Sequence, residues 1–326
     1  MSSPSALILL PRLQVQNANA VSGPLTWGFP SPTAFAGFVH ALERRLANDL
    51  EAKFGGVGIV CHQFEPQVCK PEGKYTQVFQ LTRNPLGKDG KTAAIVEEGR
   101  AHMEVSLLFS LHGYIDEEES EALIEKLMTV VHTLRLAGGT LLPQRVGNRY
   151  QAQYWPLAFD KVSQDETFKQ LRRRLLPGFA LVERGDYLQA HMSEMQEANA
   201  LDALMDLSRL NIEPDPPNPD KPSEAEWHVR KHPGWLVPVP VGYAAISPLY
   251  QAGEVANARD DETPFRFVEN LYSLGEWVSP HRLTTLDQLL WHQQADAERG
   301  IYRCINRYAN YLKSNRNETH KETTHD

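Results

Sequence analysis

The sequence predicts an α+β fold, two helices laid on one face of an antiparallel sheet, and three patterns carry that prediction. Phe35, Phe38, Leu42 and Leu46 recur at three- and four-residue spacing behind Ser31-Pro32, which marks one apolar helix face. Met103, Val105, Leu107, Phe109 and Leu111 alternate with other side chains, the period-two signal of a half-buried strand. Leu123, Leu127, Val130 or Val131, and Leu134 form a second helical stripe.

Residues 7–16 read as the first strand, with Pro11, Arg12 and Gln14 interrupting an apolar run. A polar loop marked by glycine and proline follows at 17–30. Loops of that length inside a compact domain are uncommon and usually carry function. Ser31 then caps the first helix and Pro32 takes its first position, where the missing N–H costs nothing. Residues 57–68 and 75–81 are strand candidates, followed by the alternating strand at 103–111. Asp116 is placed to cap the second helix, with Glu119 three residues on and acidic residues 117–119 at the positive end of its dipole. Gly138-Gly139 is expected to end it, in the left-handed conformation that helix ends favour. The order strand, helix, strand, strand, strand, helix has the ferredoxin-like arrangement as its commonest form.

The middle of the chain reads differently. Residues 186–210 predict one long helix, and 213–223 carry five prolines, a composition that fits only an extended linker. The chain therefore divides into a core with its C-terminal extension (1–160 and 232–314), a projecting insertion (161–231), and a polar tail (315–326) expected to be disordered. Within the second part of the core, 235–243 is a strand whose Pro238 and Pro240 lie on one side and mark an edge. Residues 265–277 are another strand candidate. A final helix is expected from Thr285 past Arg307.

Charge narrows the function. Lys and Arg total 33 against 41 Asp and Glu, a formal net charge of −8. That excludes a protein gripping duplex nucleic acid over its whole surface, but not a local basic groove, because fields are screened over roughly 10 Å. Three cysteines (Cys61, Cys69, Cys304) provide no disulfide framework and fit a reducing cytoplasm. No stretch has the length of a membrane span, so the sequence reads as a soluble cytoplasmic protein.

Catalytic and metal motifs are thin. His228 and His232 sit four apart near Glu226, but Pro233 disfavours a helix there and no third ligand is evident. Cys61-His62 with Cys69 is equally thin as a ligand set, and buried cysteines on a strand are the simpler reading, so neither metal nor cofactor is expected. G-x-S-x-G and Walker-type motifs are absent, and Gly55-Gly56-Val57-Gly58 reads as a turn. A histidine serving as general base in an RNA-cleaving site stays open, with nothing to single one out.

Three basic clusters say more. Lys169, Arg172, Arg173 and Arg174 fall within six positions. Arg299, Arg303 and Arg307 recur every four residues, one stripe on the expected final helix, with Tyr302 and Tyr308 beside it. Arg145 and Arg149 follow the glycine turn, with Asn148 and Tyr150 alongside. Each cluster is either a set of phosphate contacts helped by backbone N–H groups and stacking, or a solvated, salt-bridged face. Likewise, Asn17, Asn19 and Ser22 can form local turns, and Trp27 and Phe29 can plug the core.

The stretch LLPRLQVQNANAVSGPLTWGFPSPTAFAGFVHALERR (9–45) resembles the Csy-two proteins of type I-F CRISPR systems, the Cas-five-like subunit of that Cascade. RLAGGTLLP (135–143) is also similar to that family. The resemblance implies a ferredoxin-like (RRM-like) core with a partly helical, thumb-like insertion. It implies a non-catalytic role: holding the 5′ handle of the crRNA beside the large subunit, at the end of the backbone-subunit filament, with target DNA as a further candidate partner. Guide processing belongs to a separate endonuclease in that family. On this basis Asn17, Asn19, Ser22, Trp27, Gly138, Gly139, Arg145 and Arg149 are the expected handle site. Lys169, Arg172, Arg173, Arg174, Arg299, Arg303 and Arg307 are candidates for nucleic-acid or partner contact. The alternatives are a metal-independent endonuclease that cleaves the repeat RNA, and an adaptor that touches no RNA.

Overall fold

β1 (Ala6–Asn19) is buried on both faces, and its apolar residues divide between two cores. Ala6, Ile8 and Leu10 face one core, Leu7 and Leu9 the other. Strict alternation would then send Leu13 and Val15 to the wrong side. A register shift between Leu10 and Leu13, with Arg12 at φ 50°, returns them to the first core. A second shift with Asn17 at φ 57° does the same for Ala18. Each bulge adds one residue and re-aims the strand.

The computed structural model describes residues 3–47, 52–80, 86–92, 98–113, 115–195, 199–215, 227–232, 234–258 and 260–312. After β1 come α1 (Pro32–Leu46), β2 (Lys53–Pro66), the short β3 (Val68–Cys69) and β4 (Val78–Phe79), and β5 (Arg100–His112). α2 (Ser120–Val131) leads to β6 (Arg135–Leu136), β7 (Gly139–Leu141) and β8 (Gln153–Pro156). α3 (Lys161–Leu171), β9 (Phe179–Glu183), α4 (Gly185–Glu194), α5 (Ala200–Ser208), β10 (Asn211–Pro214) and β11 (Trp227–Arg230) follow. β12 (Leu236–Ala245), β13 (Val268–Val278), β14 (Leu290–Asp296) and β15 (Ile301–Asn306) complete the fold.

Eleven strands make one antiparallel sheet in the order β14-β15-β12-β13-β9-β2-β5-β1-β7-β6, with β8 also on β1. On the edge opposite β5, β2 pairs with β14 through Val57 and Gly58 and with β9 through Val60 and Cys61. The path β14-β15-β12-β13-β9 therefore returns to β2 and closes a six-strand ring. α1 and α2 cover one face through Phe35, Val39, Leu42, Leu127 and Val131. Phe168, Leu171 and the 3₁₀ turn residue Leu175 cover the other.

The mixed α/β class and the mostly antiparallel sheet match the sequence prediction. Ser31 caps α1, its Oγ accepting from Thr33 N–H at 3.1 Å. Its hydroxyl also donates to Pro240 O at 2.7 Å, which ties β12 to the helix start. Pro238 and Pro240 lie where β12 has β13 alone as a strand partner, so their missing N–H groups cost no ladder bond.

Several expected elements differ. The final helix is a hairpin: the Thr285 capping box tops a single 3₁₀ turn, Leu286–Gln288, and β14 pairs with β15 across 297–300. Gly300 at φ 65° and Asp296 Oδ1, which accepts Arg299 N–H at 3.0 Å, close that turn. Gly55-Gly56-Val57-Gly58 is not a turn but part of β2, where a Cβ on Gly56 would stand 2.5 Å from His292 Cε1. Gly138-Gly139 does not end the second helix, which stops at Val131; it forms the β6–β7 hairpin turn with Ala137 at φ 49° and Gly138 at φ 76°. Asp116 does not cap α2 directly, because the 3₁₀ turn Glu117–Glu119 intervenes. The helix expected over 186–210 is two, α4 and α5, the second opened by an Asn199 capping box.

Within the span expected to project, α3 packs into the second core and β9 is an interior strand of the sheet. The rest, from α4 to β11, rests on the sheet through Leu204, Leu207 and Leu274. One carboxylate, Asp206, knits that unit together. It accepts from His191 at 2.7 Å, Arg209 at 3.0 Å and Arg230 at 2.6 Å. Of the linker expected over 213–223, residues 213–214 end β10, paired with β11, while 216–223 and the tail at 315–326 lie outside the described residues. Among the described residues no helix is long and apolar enough to cross a membrane.

Ser31→Ala removes both the cap and the tie to β12. We expect a loss of about 1–2 kcal/mol, read as a lower urea midpoint with unchanged slope. A Ser31→Ala midpoint equal to wild type would contradict the tie.

Candidate nucleic-acid interface

The bulge that re-aims β1 also turns the Arg12 guanidinium onto the sheet face opposite α1. There Glu104 of β5 stands 9% exposed, with Oε1 2.5 Å from Arg12 Nη1 and Oε2 3.0 Å from Arg145 Nη1. One carboxylate therefore bridges a buried strand arginine and a half-exposed loop arginine. Arg12 Nη2 also donates to the carbonyls of Leu176 and Pro177, each at 3.3 Å, so the segment before β9 is fastened to the same point.

A closed hydrogen-bond ring surrounds this pair. Arg12 N–H donates to Ser106 Oγ at 2.9 Å, and Ser106 lies 2.6 Å from His62 Nε2. His62 Nδ1 lies 2.6 Å from Pro177 O, a pure acceptor. The proton therefore sits on Nδ1, and Nε2 accepts from the Ser106 hydroxyl. Burial pushes the His62 pKa down to about 4, with Arg12 and Arg149 adding to the effect against the Pro177 carbonyl and Glu104. The imidazole is neutral at pH 7.

Arg145 and Arg149 belong to the loop at 142–152 between β7 and β8, and both are exposed. The loop is shaped by Tyr150 N–H donating to Gly147 O at 2.9 Å and by Gln144 donating to Tyr150 O. The Arg145 guanidinium lies 5.4 Å from the centre of the Tyr150 ring. Three arginines against one glutamate leave the cluster with an excess of positive charge.

The other expected site residues fall in two places. Asn19, Ser22 and Gly138 line one shallow groove with Arg135, of about 360 Å³. Asn19 N–H donates to Ala137 O at 2.8 Å, which brings the end of β1 to the glycine turn. The Asn19 side chain makes a local turn with Val21, and Ser22 Oγ accepts from Ser31 N–H at 3.1 Å. Gly139 is buried, and a Cβ there would stand 2.8 Å from the Ala18 backbone nitrogen. Asn17 stands apart, its Oδ1 accepting from Gln67 at 2.5 Å. Trp27 is 57% exposed and meets Phe79 edge-on at 5.4 Å.

The remaining basic residues are scattered. Arg172 donates to Leu283 O and serves packing, whereas Lys169, Arg173 and Arg174 are exposed. The stripe of Arg299, Arg303 and Arg307 does not exist, because its helix is a hairpin. Arg299 pairs with Asp296 in the turn, Arg303 reaches Gln294 across the strands, and Arg307 lines a separate cleft with His292.

Sequence reasoning missed Arg12, His62, Glu104 and Ser106. Signals were present for three of them: the Pro11-Arg12 break in an apolar strand, and a glutamate and serines on the face of β5 opposite its alternating hydrophobics; His62 carried none.

The family model described as CRISPR-associated protein (Cas_Csy2) matches residues 8–304. A relative, CRISPR-associated protein Csy2 of Pseudomonas aeruginosa (strain UCBPP-PA14), is 53% identical over 314 residues, covering 93% of this chain and 96% of its own. The chain belongs to the Csy2 family. The resemblance read from 9–45 and 135–143 is thereby established over nearly the whole length. In Csy2 terms, the first motif contains Arg12 and the groove residues Asn19 and Ser22, and the second contains the hairpin turn that faces them.

His62 gives a pH signature. Its folded pKa lies below the unfolded value near 6.5, so its contribution is fully present above pH 6.5 and is lost as pH falls towards 4. We expect His62→Gln to lose less stability than wild type between pH 6.5 and 4 in urea titrations. Parallel declines in the two proteins would contradict the buried neutral imidazole.

Proposed function

We propose that this chain is the non-catalytic subunit of a type I-F CRISPR surveillance complex that binds the 5′ handle of the crRNA. In that role it pairs with the large subunit, caps the filament of backbone subunits, and serves cytoplasmic antiviral defence by target DNA recognition. The observation that carries this reading is the placement of β7. At one end it holds the groove of Asn19, Ser22 and Gly138; at the other it launches the loop bearing Arg145, Arg149 and Tyr150. Backbone amides and short polar side chains beside cations and a ring suit unpaired RNA.

The core is ferredoxin-like on this reading. The order β7-β1-β5-β2, with α1 following β1 and α2 following β5, supports it. The unit from α4 to β11 is the thumb-like part of the insertion. Exposed Lys169, Arg173 and Arg174 are contacts for target DNA or the large subunit. The repeat-cleaving alternative has less support, because His62, the histidine within the cluster, has both nitrogens engaged.

The test is to purify the tagged protein from its native cells and sequence the 5′ ends of the RNA that accompanies it. One shared 5′ end followed by variable sequence, with other proteins in the eluate, is expected. Arg145→Ala with Arg149→Ala should lower the RNA recovered and flatten the dependence of log K on log salt by about 0.7 per lost phosphate contact. Heterogeneous RNA, or none, from the wild type would overturn the proposal.

A further inference from the structure

We propose that the outward face of the β10–β11 hairpin is a docking surface for a companion protein subunit, one that presents an apolar segment bordered by lysine or arginine. The proposal rests on the reading of this chain as a subunit of a larger complex, and not on its contact with RNA.

The hairpin has its polar side in and its apolar side out. Ile212 pairs with Val229 and Pro214 with Trp227, so by the two-residue period of a strand these four share one face. That face is turned to water: Trp227 is 64%, Ile212 55% and Val229 45% exposed, and Leu210, just before β10, is 71% exposed. The alternate residues point the other way, onto α5. There Asn211 Nδ2 donates to Asp206 O at 3.0 Å, and Arg230 donates to the Asp206 carboxylate at 2.6 Å. Burial would ordinarily favour the reverse, with the isoleucine, valine and tryptophan inside and the arginine and asparagine wet. A two-stranded ribbon is marginal in water unless its apolar face is covered. Among the described residues β10 and β11 pair only with each other, and α5 meets their charged side. The apolar side is left for a layer from another molecule.

Charge selects the occupant. Residues 185–232 carry ten Asp or Glu against four Lys or Arg, an excess of six that makes up most of the chain's net −8. That field repels RNA and DNA. It also opposes a second copy of this chain, because an isologous contact would set the same acidic unit against itself. The polar tail at 315–326 has no large apolar side chain with which to cover the hairpin. A different protein meets both demands, with apolar side chains over Trp227, Ile212 and Val229 and cations at the border facing the carboxylates. Tryptophan is among the residues that most often carry the binding energy of such a patch.

The experiment uses the full tagged chain with Trp227→p-benzoylphenylalanine, a photo-crosslinking substitution, irradiated in the complex purified from cells that carry the other subunits. A crosslink to one companion subunit is expected, at an apolar segment flanked by lysine or arginine. Ile212→Ser with Val229→Ser should then weaken binding of that purified subunit to the full chain about 30-fold or more. Both side chains are exposed, so circular dichroism should show an unchanged fold. Association of the wild type should slow as salt is raised. A crosslink to RNA, to a second copy of this chain, to a segment without basic residues or to nothing would overturn the proposal. So would serine variants that bind the subunit as wild type does. If the wild-type chain brings down no companion protein at all, the complex reading fails and the proposal falls with it, a result readable before any crosslink is made.

Discussion

Glu104 stands between two guanidinium groups, and the candidate interface is organised around it. A carboxylate at 9% exposure is stable only when its charge is matched and its oxygens are occupied. Arg12 occupies one oxygen and Arg145 the other, so a residue of the core strand and a residue of a surface loop are fixed to the same atom pair. Arg12 and Glu104 are the buried pair, whereas Arg145 meets the same carboxylate from the solvent side. Removing one of two buried partners costs about 3–5 kcal/mol, because the remaining charge is stranded. That cost keeps Arg12 in register with the sheet.

The fold supplies the conditions for this pair. β1 must bury apolar residues on both faces, and its bulge at Arg12 reconciles that demand with strand periodicity. The bulge puts a long cationic side chain where an apolar one would otherwise point. Ser106 accepts the Arg12 backbone N–H and bonds His62 in turn, and the carbonyls of Leu176 and Pro177 accept from Nη2 of the guanidinium. Because those carbonyls lie just before β9, the closed six-strand ring and the cationic cluster are one construction.

Much of this was legible in the sequence, for physical reasons. Ser31-Pro32 and the stripe of Phe35, Phe38 and Leu42 specify α1 locally, through capping and periodicity. Alternation at 103–111 specifies β5. The hairpin of β14 and β15 reads as a helix because the Thr285 capping box is a true helix-start signal that here opens only one 3₁₀ turn, while the decisive signals, Gly300 and the Asp296 turn, are single residues. Gly55 and Gly56 read as a turn because glycine signals close approach and bends alike, and only tertiary contact with Ser110 and His292 separates the two. Arg12 and Glu104 lie 92 residues apart, so no local pattern could join them. Arg145 and Arg149 were legible as a cluster, but their anchoring was not.

The most direct measurement is the affinity of Glu104→Gln for the co-purified RNA segment, with the folded state verified by circular dichroism and Arg145→Ala as reference. The substitution makes the surface one unit more positive, so simple attraction for a polyanion predicts tighter binding. If Glu104 holds Arg145 in place, binding instead weakens severalfold, and adding Arg145→Ala costs nothing further. Affinity that rises, or stays unchanged, would contradict the account.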